Sequence, residues 1–352
     1  MHWELSDEQE LFASSLREWL AAKFPTDTVR EMQSSDGSGT FTEALISEGW
    51  WGVGYPEEAD GQGGGVVELA LAAREFGRAA APDSRWLAAE LSAPLLTDGE
   101  LAAQVAGEKL FVLAVRADRI PQQAAFSTDG ATLTGALGHV IGADAADVFV
   151  VPVTGPDGPA LARVSAADAV LRADPLLDRS RSASTIEFTA APVIGVESNV
   201  GALTQTASLA AVLTAADALG SAERMLDLAV EYSKQRKQFG QFIGSFQAVK
   251  HAAAQMLVSV EASYSIGLYA AAAIDERLEN SDTIAAVAKA QVTDAVASLA
   301  DSALTIHGAI GYTWEHDLHL FYKRAKLDRV LFGTPALWNE RVAAAVLDTL
   351  NQ

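Results

Sequence analysis

Arg236-Lys237-Gln238-Phe239-Gly240 is the stretch of this sequence whose residue types come closest to grasping a ligand. A guanidinium carries its donors in a planar fork that matches a phosphate, and the Phe-Gly pair marks a tight turn. Arg236 also stands where a cation complements the dipole of a helix ending there. From the residues alone both roles stay open, with the plain helix cap slightly ahead. Glu315, His316, Asp317 and His319 are of metal-ligating types, and His316 and His319 can share a helix face. Histidine is a residue type that can serve as a general base, which makes His139 a candidate, though a lone histidine is more often simply a tolerated residue. Asp217, Glu223 and Glu340 are carboxylates on helical segments, where the commoner role is a solvated or paired charge. Gly61-Gln62-Gly63-Gly64-Gly65 has no Gly-Lys-Ser/Thr behind it and is not a phosphate-binding loop.

These residues need elements to hold them. Ser6-Asp7-Glu8-Gln9 is a capping box ahead of Leu11, Phe12, Leu16, Trp19 and Leu20, which recur at helical spacing. Further helices are expected over 41–48, 66–78 and 82–96. From about Gly107 the period changes. Residues 109–115, 131–137, 148–153 and 184–188 are short runs rich in Val, Phe, Leu and Thr between turn residues, which is a strand pattern. After Val200 the pattern is helical over 202–235, 246–279, 283–306, 317–328 and 335–350. The expected architecture is α+β: an N-terminal α-helical domain (1–105), a middle β-barrel-like domain (106–200) and a C-terminal four-helix bundle (201–352).

Composition sets the outer bounds. A chain of 352 residues that is 49% hydrophobic can bury large cores in two or three domains. A formal net charge of -21 argues against nucleic-acid binding, which rests on neutralising phosphates. No apolar run reaches the ~18 uninterrupted residues of a membrane span, and Met1-His2-Trp3-Glu4 opens no signal peptide. The absence of cysteine excludes thiol catalysis and fits a cytoplasmic protein.

Arg-Lys-Gln-Phe-Gly-Gln-Phe-Ile-Gly-Ser-Phe-Gln, from Arg236 to Gln247, resembles the signature loop in the C-terminal domain of acyl-CoA dehydrogenases. Thr305-Ile306-His307-Gly308-Ala309-Ile310-Gly311-Tyr312-Thr313-Trp314-Glu315-His316 resembles that family's Q-I-H-G-G-x-G-[FY]-T-x-E-H. The passage from Gly54 to Gly61 resembles its structural G-x-P-E-E-x-G-G loop. The resemblance implies that Arg236, Gln238, Phe239 and Gln247, with Thr305, Ile306 and Gly308, meet the pyrophosphate and adenine end of an FAD held by a neighbouring subunit. It also implies that no metal is used at Glu315–His319. The reaction implied is α,β-dehydrogenation of a CoA thioester, in which a carboxylate removes the α-proton and flavin accepts a hydride.

Other family positions are changed. Phe332, before Gly333-Thr334, stands where the usual base Glu belongs, and Ala210 falls where a minority of relatives place it. His139 and Ile141 replace the Trp and Thr that flank the isoalloxazine, Leu137 replaces a Lys, and 113–118 stands in place of a flavin-binding loop. Loss of the base and of the isoalloxazine pocket, with the trans-acting ligands kept, resembles the incomplete chain of bacterial α2β2 dehydrogenases acting on steroid side-chain CoA esters. The expectation is therefore a chain with no catalytic residue of its own, active with a homologous partner. An acyl-CoA substrate and an electron-transfer flavoprotein as acceptor are expected with it. The alternative is a self-sufficient homotetramer whose base has moved to Asp217, Glu223 or Glu340.

Overall fold

The computed structural model describes residues 4–33, 37–122, 126–198 and 200–350. The reading of Met1–Trp3 lies outside them. The chain opens with α1 (Asp7–Lys23), whose N-cap is the expected box: Ser6 Oγ accepts from Gln9 N–H and Gln9 Oε1 accepts from Ser6 N–H. α2 (Thr26–Met32), α3 (Gly37–Ser47), α4 (Val66–Ala79), α5 (Ser84–Ser92) and α6 (Asp98–Val105) complete the N-terminal part. Sequence periodicity passed over α2 and α6, being too short for a repeat of apolar positions. α6 nevertheless carries its own box, in which Thr97 Oγ1 accepts from Glu100 N–H.

The middle of the chain is a mixed sheet of β1 (Phe111–Leu113), β2 (Phe126–Ser127), β3 (Thr132–Ile141), β4 (Val148–Gly155), β5 (Gly158–Ser165), β6 (Ala169–Ala173) and β7 (Ala183–Glu197). Its order is β1-β4-β5-β7-β3, with β2 beside β4 and β6 beside β7. The sheet is barrel-like without closing through regular pairing: β1 and β3 end the main path, and an isolated bridge from Thr128, just after β2, to Leu133 links β2 back to β3. The reason lies in β7. Its first part pairs with β3 and β6 and its last residues, Val193–Glu197, pair with β5, so one long strand serves two sets of neighbours. β5 escaped the sequence reading because Ala and Pro interrupt its β-branched content, although its middle is fully buried.

The C-terminal part is α7 (Ala202–Gln235), β8 (Lys237–Gln238), β9 (Gln241–Phe242), α8 (Gln247–Asp275), α9 (Ser281–His307), α10 (Leu318–Asp328) and α11 (Pro335–Leu350). α7 packs on both α8 and α9, α10 contacts α7 and α9, and α11 lies along α9. α7 and α8 are long and apolar enough to cross a membrane by length and composition alone, but 89% of the most apolar window of α7 is buried in the protein. Small residues decide how closely α4 and α7 cross. A Cβ at Gly77 would stand 2.0 Å from Asp217 O, and one at Gly220 1.8 Å from Arg74 O. Asp275, the last residue of α8, accepts from Val66 and Val67 N–H at 2.7 and 2.9 Å and so caps α4 across the domain junction.

Candidate functional site

The hairpin begins as α7 ends. Arg236 N–H still donates to Tyr232 O at 2.9 Å, but the backbone of Arg236 is extended and the helix stops. Lys237 pairs with Phe242 and Gln238 with Gln241, leaving Phe239 and Gly240 as a two-residue loop. Both have positive φ, 52° and 79°, the requirement of a type I′ turn. Glycine meets that requirement freely; phenylalanine does so at a cost of roughly 1–2 kcal/mol. Phe239 is also 92% exposed. Its edge-on contact with Phe246, at 6.2 Å, covers little of it. Arg236, Gln238 and Gln247 are exposed as well, and the Arg236 guanidinium has no ion pair among the described residues. Within this chain the arm therefore holds a strained aromatic and an unanswered cation in water, which is the signature of a surface made for something else.

The second stretch meets the first at the same end of the helices. α9 runs to His307, and Gly308, with φ 65° and ψ −145°, turns the chain into a 3-10 segment. His307 stacks on Tyr232 with centroids 4.8 Å apart, and the ring of His316 stands edge-on to His307 at 4.6 Å. Tyr232 lies one turn before Arg236, and His307 lies between Ile306 and Gly308, so this three-ring stack ties the two stretches together. Sequence reasoning missed Tyr232, although its position four residues before Arg236 was a signal. Thr305 is exposed, but its hydroxyl donates back to Asp301 O at 2.8 Å; Ile306 is half-buried. Burial lowers the pKa of His307 and of His316 and keeps both rings neutral. His307 Nδ1 is 2.8 Å from Ala303 O, and His316 Nδ1 accepts from Leu318 N–H at 3.1 Å.

The residues of metal-ligating type do not converge. Asp317 is engaged by Arg30 and His319 packs edge-on to Trp314, and among the described residues no three His, Asp or Glu side chains surround a common point.

A different arrangement surrounds Phe332. Its own φ is 53° and its side chain is buried. Its N–H donates to Ala117 O at 2.5 Å, while Ala117 N–H donates to His139 O at 2.8 Å. Residue 117 thus bridges the strand bearing His139 to the turn bearing Phe332. Ile120 follows so closely that a Cβ on Gly333 would stand 2.9 Å from its Cγ1. From the other side Lys289 Nζ donates to Asp328 O at 2.9 Å and Gly333 O at 3.1 Å. Burial pulls that ammonium down to about 7. Trp338 Nε1–H donates to Phe332 O at 3.1 Å. The turn is clamped on both faces by the chain itself. His139, with φ 59°, lies over Asp174, its Nδ1 3.1 Å from Oδ2. Leu137, Ile141 and Ala210 are buried.

None of the displaced-base candidates is free to act from the interior. Asp217 is locked by Arg324, with Nη2 to Oδ1 at 2.6 Å, and by Arg181 at 3.1 Å. Arg181 also binds Asp83 at 3.0 Å and Asp328 at 2.5 Å, so α5, the entry to β7, α7 and α10 meet in one buried ionic cluster. Burial raises the Asp217 pKa but the two guanidinium groups outweigh it and hold the carboxyl below its ordinary range. Burial and the Asp217 charge push the Asp328 carboxyl well above it. Glu223 is held by Arg74 at 2.6 Å and Arg78 at 3.5 Å. Glu340 is exposed on α11.

Comparison with known proteins bears on this geometry. The model for the acyl-CoA dehydrogenase N-terminal domain matches residues 6–102, and that for the C-terminal domain matches 201–347. The acyl-CoA dehydrogenase IpdE2 of Mycolicibacterium smegmatis is 31% identical over 345 residues, covering 97% of this chain and 100% of that protein. The acyl-CoA dehydrogenase FadE34 of Mycobacterium tuberculosis is 32% identical over 361 residues, 97% of this chain but 48% of that protein, so this chain spans about half of its length. The solved Tcur3481-Tcur3483 steroid ACAD superposes with a TM-score of 0.86 at 25% identity, covering 98% of this chain and 99% of that one. The ChsE4-ChsE5 complex from Mycobacterium tuberculosis gives 0.86 at 22% identity, covering 99% of each. The chain belongs to the acyl-CoA dehydrogenase family, whose members are FAD-dependent flavoproteins.

Proposed function

We propose that this chain is the base-less subunit of a heteromeric acyl-CoA dehydrogenase. Its hairpin and the end of α9 complete an FAD site whose flavin pocket and carboxylate base belong to a homologous partner. One observation carries this reading: Ala117 bridges His139 and Phe332, closing the region where the family holds flavin and base, while the arm with Arg236 and Phe239 stands open. The residues present fit FAD in one place and not in the other. Arg236 offers an unpaired fork to a pyrophosphate, with Gln238 and Gln247 as amide donors and Phe239 as an apolar face. Thr305, Ile306 and Gly308 border the adenine end. Phe332 itself offers no carboxylate, and Ala117 and Ile120 occupy the approach to it.

In such a complex bound FAD supplies the hydride acceptor for α,β-dehydrogenation. This chain's part is to orient the cofactor from outside and to exclude water from its distal end. The partner docks on the face that includes Phe242 and the outer side of α8, where Leu257 and Val258 are exposed. A CoA thioester is the substrate class; a steroid side-chain ester follows from the likeness to the steroid ACAD. An electron-transfer flavoprotein as acceptor and a cytoplasmic location complete the reading. The self-sufficient alternative has lost its interior candidates, because Asp217 and Glu223 are both bound to arginines.

The test is purification of the chain alone and after co-expression with a homologous chain that carries the base. The expected outcome is a colourless lone chain and a yellow, larger complex that an acyl-CoA bleaches. A yellow homotetramer bleached by an acyl-CoA sinks the reading.

A further inference from the structure

A cavity far from the hairpin opens between α1, α4, α7 and α10. Its volume is about 360 Å³, within the range of small-molecule sites. One wall is apolar: Leu20 and Phe24 from α1 and its exit, with Phe321 from α10, all fixed by packing in the main core. Arg17, Arg78 and Arg224 also line it, together with Glu75.

The charges there do not balance. Arg17 grips the buried Glu75 with two hydrogen bonds, at 2.7 and 2.8 Å. Arg74 binds Glu223 at 2.6 Å and Arg78 binds Asp227 at 2.5 Å. Those three carboxylates answer three guanidinium groups one for one. Arg224 is half-buried and has neither an ion pair nor a side-chain hydrogen bond among the described residues. It is the one excess cation of the cluster, in a chain whose formal net charge is -21. A partly desolvated guanidinium without a counter-ion is costly, and an anion supplied from solution would relieve it.

We propose that this cavity binds a small organic monocarboxylate, its two oxygens on Arg224 and its apolar body against Leu20, Phe24 and Phe321. A single negative charge matches the single excess cation. A phosphate dianion would bring a second charge beside Glu75 with no free cation to meet it. The planar fork of arginine suits a carboxylate, and the rigid aromatic and aliphatic wall needs no rearrangement to receive an alkyl or aryl group. The site does not depend on the cofactor reading, since none of its residues belongs to the hairpin or to the end of α9.

The intact protein would be titrated with 3-phenylpropionate, followed by ligand-observed NMR, beside 3-phenylpropanamide, which has the same shape and no charge. The account expects saturable binding of the acid, about tenfold tighter than the amide. Arg224→Gln should abolish that preference without lowering Tm. Ala21→Trp, on the exposed rim, should block acid and amide alike. Failure of the acid to saturate, equal affinity for the amide, or indifference to Arg224→Gln would each overturn the proposal.

Discussion

The hairpin after α7 and the turn around Phe332 each place a phenylalanine at positive φ, Phe239 at 52° and Phe332 at 53°. In every other respect they are opposites. Phe332 is buried, its N–H and C=O are both bonded, and Lys289 clamps the turn behind it. Phe239 is in water with an unpaired arginine three residues away. Strain in a packed turn can be repaid by the packing within one chain. Strain on an exposed tip has no such return until another molecule arrives. On the proposed reading, the two regions divide the molecule into a part that has been sealed and a part kept for use across an interface.

That division predicts two kinds of mutant. The largest effect should come from the sealed side. Arg324→Ala leaves the buried Asp83 and Asp217 to share Arg181 alone and should cost about 3–5 kcal/mol in urea unfolding. Asp328→Asn should cost far less, because burial and the Asp217 charge already disfavour the ionised form of Asp328 and the amide keeps hydrogen-bonding capacity. Equal losses for the two would break the assignment of charge within the cluster.

Next comes Phe332→Glu. It restores the family's carboxylate but buries it against residues 117–120, and the expected result is about 2–4 kcal/mol of destabilisation with no dehydrogenase activity in the isolated chain. A stable, active variant would mean that the cleft is open after all.

On the open side the pattern reverses. Arg236→Ala should shift stability by no more than about 0.5 kcal/mol while the assembled complex loses FAD on gel filtration. Phe239→Gly sharpens the contrast. It relieves the left-handed strain and should stabilise the lone chain by about 1 kcal/mol while weakening FAD retention. Loss of both stability and cofactor would make Phe239 a structural residue.

The smallest effect concerns pH. The pKa values of His307 and His316 are lowered in the folded chain, so the unfolded chain binds more protons below the ordinary histidine pKa of about 6.5. Their contribution is intact above that pH and is lost progressively as pH falls toward the depressed values. Tm should therefore drop on acidification through this window, and Tyr232→Leu, by freeing the His307 ring, should flatten the drop.

The sequence made the frame legible because long amphipathic helices with clear caps announce themselves. The expected 202–235 matches α7, and the Ser6 box is present as read. β5 and β6 were illegible because alanine-rich strands carry little intrinsic preference and owe their conformation to β4 and β7. At the candidate site the substitutions at His139 and Phe332 could be read by position. What the residues could not disclose is that Ala117 joins the two, since a backbone bridge across 215 positions leaves no mark on an alanine. The position of Tyr232 one turn before Arg236 was a signal, but its stack on His307 was hidden, because contacts between distant helices are a property of packing.

The most direct test of the division is the FAD count in the purified heteromeric complex, from flavin absorbance against protein concentration with the mass fixed by light scattering. The account predicts one FAD for every two chains, all of it lost or loosened when Arg236 is replaced by alanine in this chain. One FAD per chain, indifferent to Arg236, would contradict it.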